Sequence, residues 1–186
     1  MLFTPTTFPG LIIIEPNLLE DSRGYFFEAY NEKVFHLNHL HENFIQDNQS
    51  RSSYGVVRGL HYQRPPHAQS KLVRVIAGSI TDTVLDLRVG SPTFGETFSV
   101  ELSAENKKQL FIPKGFAHGF AVTSEIAEVL YKCDTYYDRD SEAGIYYNDP
   151  QLKIDWQLPS EKILVSEKDK RLPLFDSYGG EFVFNQ

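Results

Sequence analysis

The stretch Phe111–Phe120, which reads FIPKGFAHGF, places a tight turn between two apolar segments. Pro113 fixes its backbone φ and Gly115 tolerates a positive φ, so the pair favours a reversal of the chain. The turn delivers His118 to the start of an apolar segment with strand character. The pattern therefore predicts a β-strand on each side of the turn.

Turn residues recur along the rest of the chain about every 8 to 12 residues, which is the spacing of a β-sandwich or β-barrel. The 13% of aromatic residues supplies bulky side chains for a small barrel. A helix is predicted over 31–41, with Asn31 as its N-cap. The sequence therefore predicts an all-β fold with a few short helices. The predicted strands are 11–14, 24–30, 55–62, 71–77, 80–87, 97–102, 108–112, 118–123 and 126–133.

Composition indicates an ordinary globular protein in a single domain, residues 1–186. The chain has 41% hydrophobic and 23% charged residues, enough to bury a sizeable core. It contains no apolar run of about 18 residues, which argues against a membrane-spanning helix, and no signal-peptide pattern. With a single cysteine, Cys133, these features predict a cytoplasmic protein. The net charge of −7 argues against non-specific binding to nucleic acid.

The segment Val57–Gln63, VRGLHYQ, combines a strand pattern with chemically active side chains. His61 is of the type that takes and gives a proton near neutral pH. Lys71, on the next predicted strand, can hold the negative charge that proton abstraction leaves behind. Together they indicate carbon-acid chemistry rather than hydrolysis, although a lone histidine in a strand is more often structural.

Alternation along two strands predicts that Lys71 and Tyr131 face one cavity. Lys71 shares a strand face with Val73 and Val75, and Tyr131 shares one with Val129. Because these neighbours are apolar, both faces are expected to point into the barrel. An inward lysine and an inward tyrosine can then meet there.

Arg58 and His61 are three positions apart and would face opposite sides of a regular strand. Gly59 between them permits a β-bulge, which would turn both side chains to the same side. We therefore expect a bulge at Gly59 that brings both side chains to one cavity. A straight ladder of hydrogen bonds through Gly59 would contradict this expectation.

The Pro-x-Gly-x-x-His spacing that ends at His118 resembles the second motif of the cupin superfamily, whose fold is a jelly-roll barrel. Metal-binding cupins carry His-x-His in their first motif, whereas this sequence reads His-Tyr-Gln from His61. The ammonium group of Lys71 would also repel a metal ion. The resemblance implies a cupin-type jelly roll on which the N-terminal strands and the C-terminal segment pack, with no metal and no cofactor.

A series of short segments runs in order along nearly the whole chain: Asp21–Gly24, Gln46–Ser52, Val57–Gln63, Lys71–Arg74, Asp86–Arg88, Gly90–Gly95, Phe116–Phe120, Leu130–Cys133 and Leu164–Asp169. Together they closely resemble the dTDP-4-dehydrorhamnose 3,5-epimerase family. The resemblance implies a cofactor-free reaction on a thymidine-diphosphate-linked 4-keto-6-deoxyhexose. The C4 ketone acidifies the protons on C3 and C5, a base removes one, and reprotonation from the opposite face inverts the centre.

The resemblance also implies chemical roles for four residues. His61, in the Gly-Leu-His motif, is the implied base, and Asp169, in Ser-Glu-Lys-Asp, orients it. Lys71, in Lys-Leu-Val, is implied to stabilise the enolate. Tyr131, in Leu-Tyr-Lys, is the implied proton donor on the opposite face. The residue types suit these roles, because a free tyrosine is protonated at neutral pH and a carboxylate-held histidine keeps one tautomer.

A substrate-binding set follows from the same resemblance. Arginines would bind the diphosphate, polar side chains the rest of the substrate, and aromatic side chains the thymine end. The family's barrels exchange an N-terminal strand, which implies a homodimer. On the nucleotide side the resemblance implies a tyrosine contact, which falls on Tyr136, with the adjacent Tyr137 as the alternative. The implied binding residues are Arg23, Phe26, Glu28, Gln46, Asn48, Arg58, His118 and Tyr136.

Two alternatives to a double epimerase stay open. A single-site epimerase, acting at C3 or C5 of another dTDP-4-keto-deoxysugar, would use the same residues. A non-catalytic cupin that binds sugar nucleotides would have the cavity, but it would not need an acid and a base on opposite faces.

Other reactive side chains are expected to be structural. His36, His39 and His41 fall in the predicted helix, and their polar surroundings favour a solvated surface over a metal site. Cys133, on the same strand face as Tyr131, is expected to be a small buried apolar side chain.

Overall fold

Strands form most of the regular structure of the chain, of which a computed structural model describes residues 1–184. Within these residues the only α-helix, α1, covers Glu32–Leu37, and three 3-10 turns cover Ser160–Lys162, Asp169–Arg171 and Phe175–Ser177. No helix in this part of the chain is long and apolar enough to cross a membrane. The strands are β1 (Leu2–Pro5), β2 (Ile12–Glu15), β3 (Leu19–Asp21), β4 (Gly24–Phe26), β5 (Gln46–Ser53), β6 (Val57–Gln63), β7 (Lys71–Ala77), β8 (Ser79–Asp86), β9 (Arg88–Val89), β10 (Thr97–Ser103), β11 (Gln109–Ile112), β12 (Phe116–Val122), β13 (Ile126–Cys133), β14 (Glu142–Gly144) and β15 (Phe182–Val183).

Two antiparallel sheets form the body of the fold. The first has the strand order β1-β2-β11-β7-β13-β5, and the second has the order β10-β8-β12-β6-β14. Most neighbours within each sheet are distant along the chain, as in a jelly roll. Strands β3 and β4 form a separate hairpin, and β9 pairs with β15 in parallel. The prediction of an all-β, cupin-type fold is confirmed.

Alternation along the strands sends one set of apolar side chains into the space between the sheets. Val73 and Val75 of β7 and Leu110 of β11 meet Val84 of β8 and Val122 of β12 in one buried cluster. Burial of such side chains is the main favourable contribution to folding. This inner layer holds the two sheets at a fixed separation and so defines the walls of the cavity.

The outer face of each sheet is also covered, which explains why strands such as β12 are buried along their whole length. Phe35 of α1 packs with Leu72 and Phe111 on the first sheet. On the second sheet, Trp156 and Phe182 of the C-terminal segment belong to a second apolar cluster. The C-terminal residues up to 184 therefore form part of the packed structure.

The helix is shorter than the predicted span of 31–41. Asn31 is its N-cap as predicted, because the backbone N–H of Val34 donates to Asn31 Oδ1 at 3.4 Å. The helix ends at Leu37, and His39 adopts a positive φ of 63°, which helical geometry does not allow.

Strand predictions differ from the structure in two ways: one predicted strand is too long, and six strands were not predicted, namely β1, β3, β5, β9, β14 and β15. The strand predicted over 24–30 ends at Phe26. The whole of β5 was not predicted, because its sequence, QDNQSRSS, contains no apolar residue. It forms at the edge of the first sheet because every residue of β5 has a partner on β13. Pairing with a neighbour, rather than propensity, makes this segment a strand.

Candidate active site

A cavity of about 470 Å³ lies between the two sheets. Strands β6, β7, β12 and β13 and the segment 164–169 provide most of its lining. A smaller cavity of about 140 Å³ adjoins it, and His61, Lys71 and Tyr131 line both. The larger cavity brings together six of the residues singled out in the sequence: Arg58, His61, Lys71, His118, Tyr131 and Asp169.

A bulge at Gly59 shapes one wall of the larger cavity. The register between β6 and β12 shifts between the pairs His61–His118 and Arg58–Phe120, so that β6 contains an extra residue. Gly59 has a φ of 114°, and a Cβ at this position would lie 2.6 Å from Gly119 Cα. Only glycine fits there, and the predicted bulge with Arg58 and His61 on one side is confirmed.

His61 is held by a carboxylate from the C-terminal part of the chain. Its Nε2 lies 2.7 Å from Asp169 Oδ1, and the Gly59 N–H donates to Asp169 Oδ2 at 3.3 Å. Burial raises the pKa of the Asp169 carboxyl, but these hydrogen bonds outweigh burial and hold the pKa below its usual value. The resulting carboxylate orients the imidazole ring and leaves its other nitrogen available as a base.

Lys71 and Tyr131 enter the cavity from the opposite sheet. Lys71 Nζ lies 6.0 Å from the centroid of the Tyr131 ring, which confirms that the two share a cavity. Burial lowers the pKa of the Lys71 ammonium group, an effect opposed by the nearby carboxylates of Asp82 and Glu142. Burial raises the pKa of the Tyr131 hydroxyl, so it carries a proton at neutral pH. A tyrosine hydroxyl and a lysine amine group therefore face a histidine across the cavity.

A second histidine–carboxylate pair was not predicted from the sequence. His118 lies directly opposite His61 on the neighbouring strand, and its Nε2 is 2.8 Å from Asp82 Oδ2. Asp82 is fully buried on β8. Asp82 lies inside the predicted strand 80–87, and an aspartate inside a buried strand signals a polar partner because a buried charge without one is costly. That signal was present in the sequence.

Two more cations, Arg58 and Lys168, line the larger cavity. Arg58 Nε donates to Ser52 Oγ at 3.0 Å, which fixes the guanidinium group at the cavity wall. Lys168, also in the lining, pairs with Glu142 at 2.5 Å. Burial raises the pKa of Glu142, but hydrogen bonds from Lys168 and Tyr137 outweigh burial and lower it overall. Sequence reasoning did not single out Lys168 or Glu142, because they pair only through the fold.

Comparison with known proteins identifies the chain's family. The family model described as dTDP-4-dehydrorhamnose 3,5-epimerase matches residues 5–177. The chain belongs to this epimerase family. It is 48% identical over 180 residues to the dTDP-4-dehydrorhamnose 3,5-epimerase of Salmonella typhimurium, covering 95% of this chain and 96% of that protein. It is 51% identical over 172 residues to the Pseudomonas aeruginosa protein of the same name, covering 92% and 94%.

A solved structure of the epimerase family has the same fold. The crystal structure of dTDP-6-deoxy-D-glucose-3,5-epimerase from Legionella pneumophila, in complex with dTDP-4-keto-L-rhamnose, superposes with a TM-score of 0.94. The two sequences are 46% identical, and the match covers 100% of this chain and 99% of that one. The chain is accordingly a sugar-nucleotide epimerase with the family's jelly roll.

In this member of the epimerase family, β5 supplies polar side chains to the smaller cavity. Gln46 and Asn48 line it, and Gln46 Nε2 donates to Asn48 Oδ1 at 3.0 Å. Tyr137 also lines this cavity, and its backbone N–H donates to Gln46 Oε1 at 3.0 Å. Tyr136 instead is 66% exposed and lines neither cavity. The structure therefore places Tyr137, rather than the predicted Tyr136, at the smaller cavity.

Besides Tyr136, three implied binding residues lie outside both cavities of this chain. Arg23, on the β3–β4 hairpin, forms an ion pair with Asp21. Phe26 is 65% exposed, and Glu28 accepts a hydrogen bond from Asn31 at 3.1 Å. The prediction placed these residues at the substrate, but one chain alone does not bring them there.

The side chains expected to be structural lie at the surface or in the core. His36, His39 and His41 are exposed on and after α1. Cys133 is fully buried, and Asn48 Nδ2 lies 3.7 Å from its sulfur. Within residues 1–184 no three His, Cys, Asp or Glu side chains converge as a metal site would require.

Proposed function

We propose that the chain epimerises dTDP-4-dehydro-6-deoxy-D-glucose at C3 and C5 to give dTDP-4-dehydro-L-rhamnose. The observation that supports this most strongly is the placement of a base and an acid on opposite walls of one cavity. His61 comes from the second sheet, and Tyr131 comes from the first. Inversion of a carbon needs removal of a proton on one face and delivery on the other, which two facing sheets supply.

The proposed first step is proton abstraction from C3 or C5. The C–H bond breaks, its proton moves to the free ring nitrogen of His61, and its electron pair delocalises onto the C4 oxygen as an enolate. Asp169 stabilises the imidazolium that forms. Lys71 stabilises the negative charge on the enolate oxygen.

The second step returns a proton to the same carbon from the opposite face. Tyr131 donates its hydroxyl proton as the C4 ketone re-forms, and the tyrosinate and the imidazolium then exchange protons with water. No electron is gained or lost overall, so the reaction needs no redox cofactor. Repetition at the second carbon completes the double inversion.

The nucleotide would bind along the remaining lining. We assign the diphosphate to Arg58 and Lys168, because charge-assisted hydrogen bonds to phosphate form best where cations face a cavity. His118 contacts the sugar region, and Gln46 and Asn48 in the smaller cavity contact the remaining polar groups.

We propose that the active form is a homodimer in which the β3–β4 hairpin covers a second copy. The hairpin exposes apolar side chains, with Leu19 67%, Tyr25 57% and Phe26 65% exposed. A partner surface would bury them and bring Arg23 and Glu28 to a cavity of the other chain. Light scattering at micromolar concentration should give twice the chain mass of 21.3 kDa. Phe26→Asp should shift the protein toward monomer, and a monomeric parent would contradict the proposal.

The function is tested by NMR of dTDP-4-dehydro-6-deoxy-D-glucose with the enzyme in D2O, in buffer with and without EDTA. We expect deuterium at both C3 and C5, the L-sugar after trapping with a reductase, and no effect of the chelator. Deuterium at one carbon alone would indicate a single-site epimerase. Exchange at neither carbon would favour a binding protein, and sensitivity to EDTA would contradict the metal-free mechanism.

A further inference from the structure

The proposed mechanism gives no role to the carboxylate of Asp82, which pairs with His118. Asp82 is fully buried, and only its Oδ2 is engaged, by His118 Nε2 at 2.8 Å. Its Oδ1 is buried and has no hydrogen-bond partner among residues 1–184. A buried carboxylate with a free oxygen costs stability unless a positive charge nearby compensates for it.

Lys71 is the cation available to balance this carboxylate. It lines the same cavity as His118, and the Asp82 charge acts to keep it protonated against the effect of burial. Glu142 acts in the same direction but is already paired with Lys168 at 2.5 Å. The titratable groups around Lys71 are His61 on β6, Asp82 on β8, His118 on β12, Tyr131 and Cys133 on β13, and Glu142 on β14.

We propose that Asp82 is a positioning residue for the epimerisation: its buried carboxylate orients His118 and supplies the counter-charge that keeps Lys71 an ammonium ion. The inference rests on the proposed function in one respect, namely that Lys71 stabilises the enolate. Asp82 touches no substrate in this scheme. It acts through the two cavity residues whose orientation and charge it sets.

The pH dependence of the reaction follows from this role. At high pH Lys71 loses its proton, and the enolate loses its stabilising charge, so kcat/KM falls. Removing the Asp82 charge lowers the pKa of Lys71, because a nearby negative charge favours the protonated form. The alkaline limb of the pH profile must then move to lower pH.

Asp82→Asn tests the proposal, since asparagine keeps the shape and can still accept from His118. Limiting acetic anhydride acylates Lys71 only when its amine is neutral. Peptide mass spectrometry of samples treated at a series of pH values therefore gives the fraction of neutral Lys71, and this measurement does not depend on turnover. We expect the midpoint of the Lys71 acylation curve to fall by about one pH unit in Asp82→Asn. At any pH below the midpoint, this corresponds to a roughly tenfold rise in the reactivity of Lys71. The alkaline limb of kcat/KM should move by the same amount.

Asp47→Asn is the matched control, because Asp47 pairs with Lys132 at 2.9 Å at the protein surface. It should change acylation of Lys132 and leave Lys71 unchanged. An unchanged Lys71 midpoint in folded Asp82→Asn would overturn the proposal, even if kcat fell, because that result would indicate a structural role only.

If Asp82→Asn does not fold, the midpoint of Lys71 acylation is measured in the parent protein instead. A Lys71 midpoint above about pH 7 in the parent supports the proposal, and one below it overturns the proposal, since the lysine would then be neutral despite its counter-charge. Acylation does not depend on turnover. Lack of deuterium exchange by the parent would therefore overturn the proposed function alone, while the Lys71 midpoint would still test the role of Asp82.

Discussion

His61→Asn is expected to lower the rate of deuterium exchange at C3 and C5 by a factor on the order of 10³ or more, while dTDP still binds. The asparagine side chain is close to the histidine in size. Its amide can still donate to Asp169, whose Oδ1 lies 2.7 Å from His61 Nε2 in the parent. What it lacks is a nitrogen that takes a proton near neutral pH. The cations assigned to the diphosphate are untouched, so affinity for the nucleotide should change little.

The measurement combines NMR-detected exchange in D2O with calorimetric titration of dTDP. His36→Asn is the matched control, since His36 is exposed on α1, away from both cavities. It should exchange deuterium at the parent rate. Turnover close to the parent rate by His61→Asn would remove His61 from the role of base, and loss of dTDP binding along with exchange would point to a structural role.

Tyr131→Phe should separate proton removal from inversion. The base is intact in this variant, so His61 still forms the enolate and can return a solvent-derived deuteron to the same face. Deuterium should therefore enter C3 or C5, while net inversion falls by about 10² to 10⁴. The phenyl ring keeps the contact with Lys71, whose Nζ lies 6.0 Å from the ring centroid, so only the hydroxyl is lost.

Chiral analysis of the trapped sugar, run on the same samples as the NMR, distinguishes the two events. Tyr54→Phe is the control, because Tyr54 is 40% exposed and lines neither cavity. If exchange and inversion disappear together in Tyr131→Phe, the hydroxyl contributes to binding rather than to proton delivery. Normal inversion would assign the donor to another group.

Short-range patterns predicted the walls of the cavity correctly. The position of Lys71 relative to Val73 depends only on the period of a strand, and the side of the sheet occupied by Arg58 depends on one bulged glycine. Neither needs information from distant parts of the chain. The same local chemistry predicted the N-cap Asn31, whose hydrogen bond spans three residues.

What sequence reasoning missed depends on contacts between distant segments. Polar β5 is a strand because β13 pairs with it along its length. Asp82 meets His118 across 36 positions, and the Lys168–Glu142 pair joins a C-terminal loop to β14, which no local pattern connects. The placement of Tyr137 rather than Tyr136 at the smaller cavity depends on the path of the chain after β13, which only the fold determines.

The carboxylate that orients the base is supplied 108 residues after the base itself. Asp169 sits on a turn outside the two main sheets, and that turn docks onto the Gly59 bulge through the same carboxylate. During synthesis, His61, Lys71 and Tyr131 are therefore all made before the carboxylate that orients the imidazole. Chemical competence arrives with the last part of the polypeptide, because a product terminated before Asp169 lacks the carboxylate that holds the base.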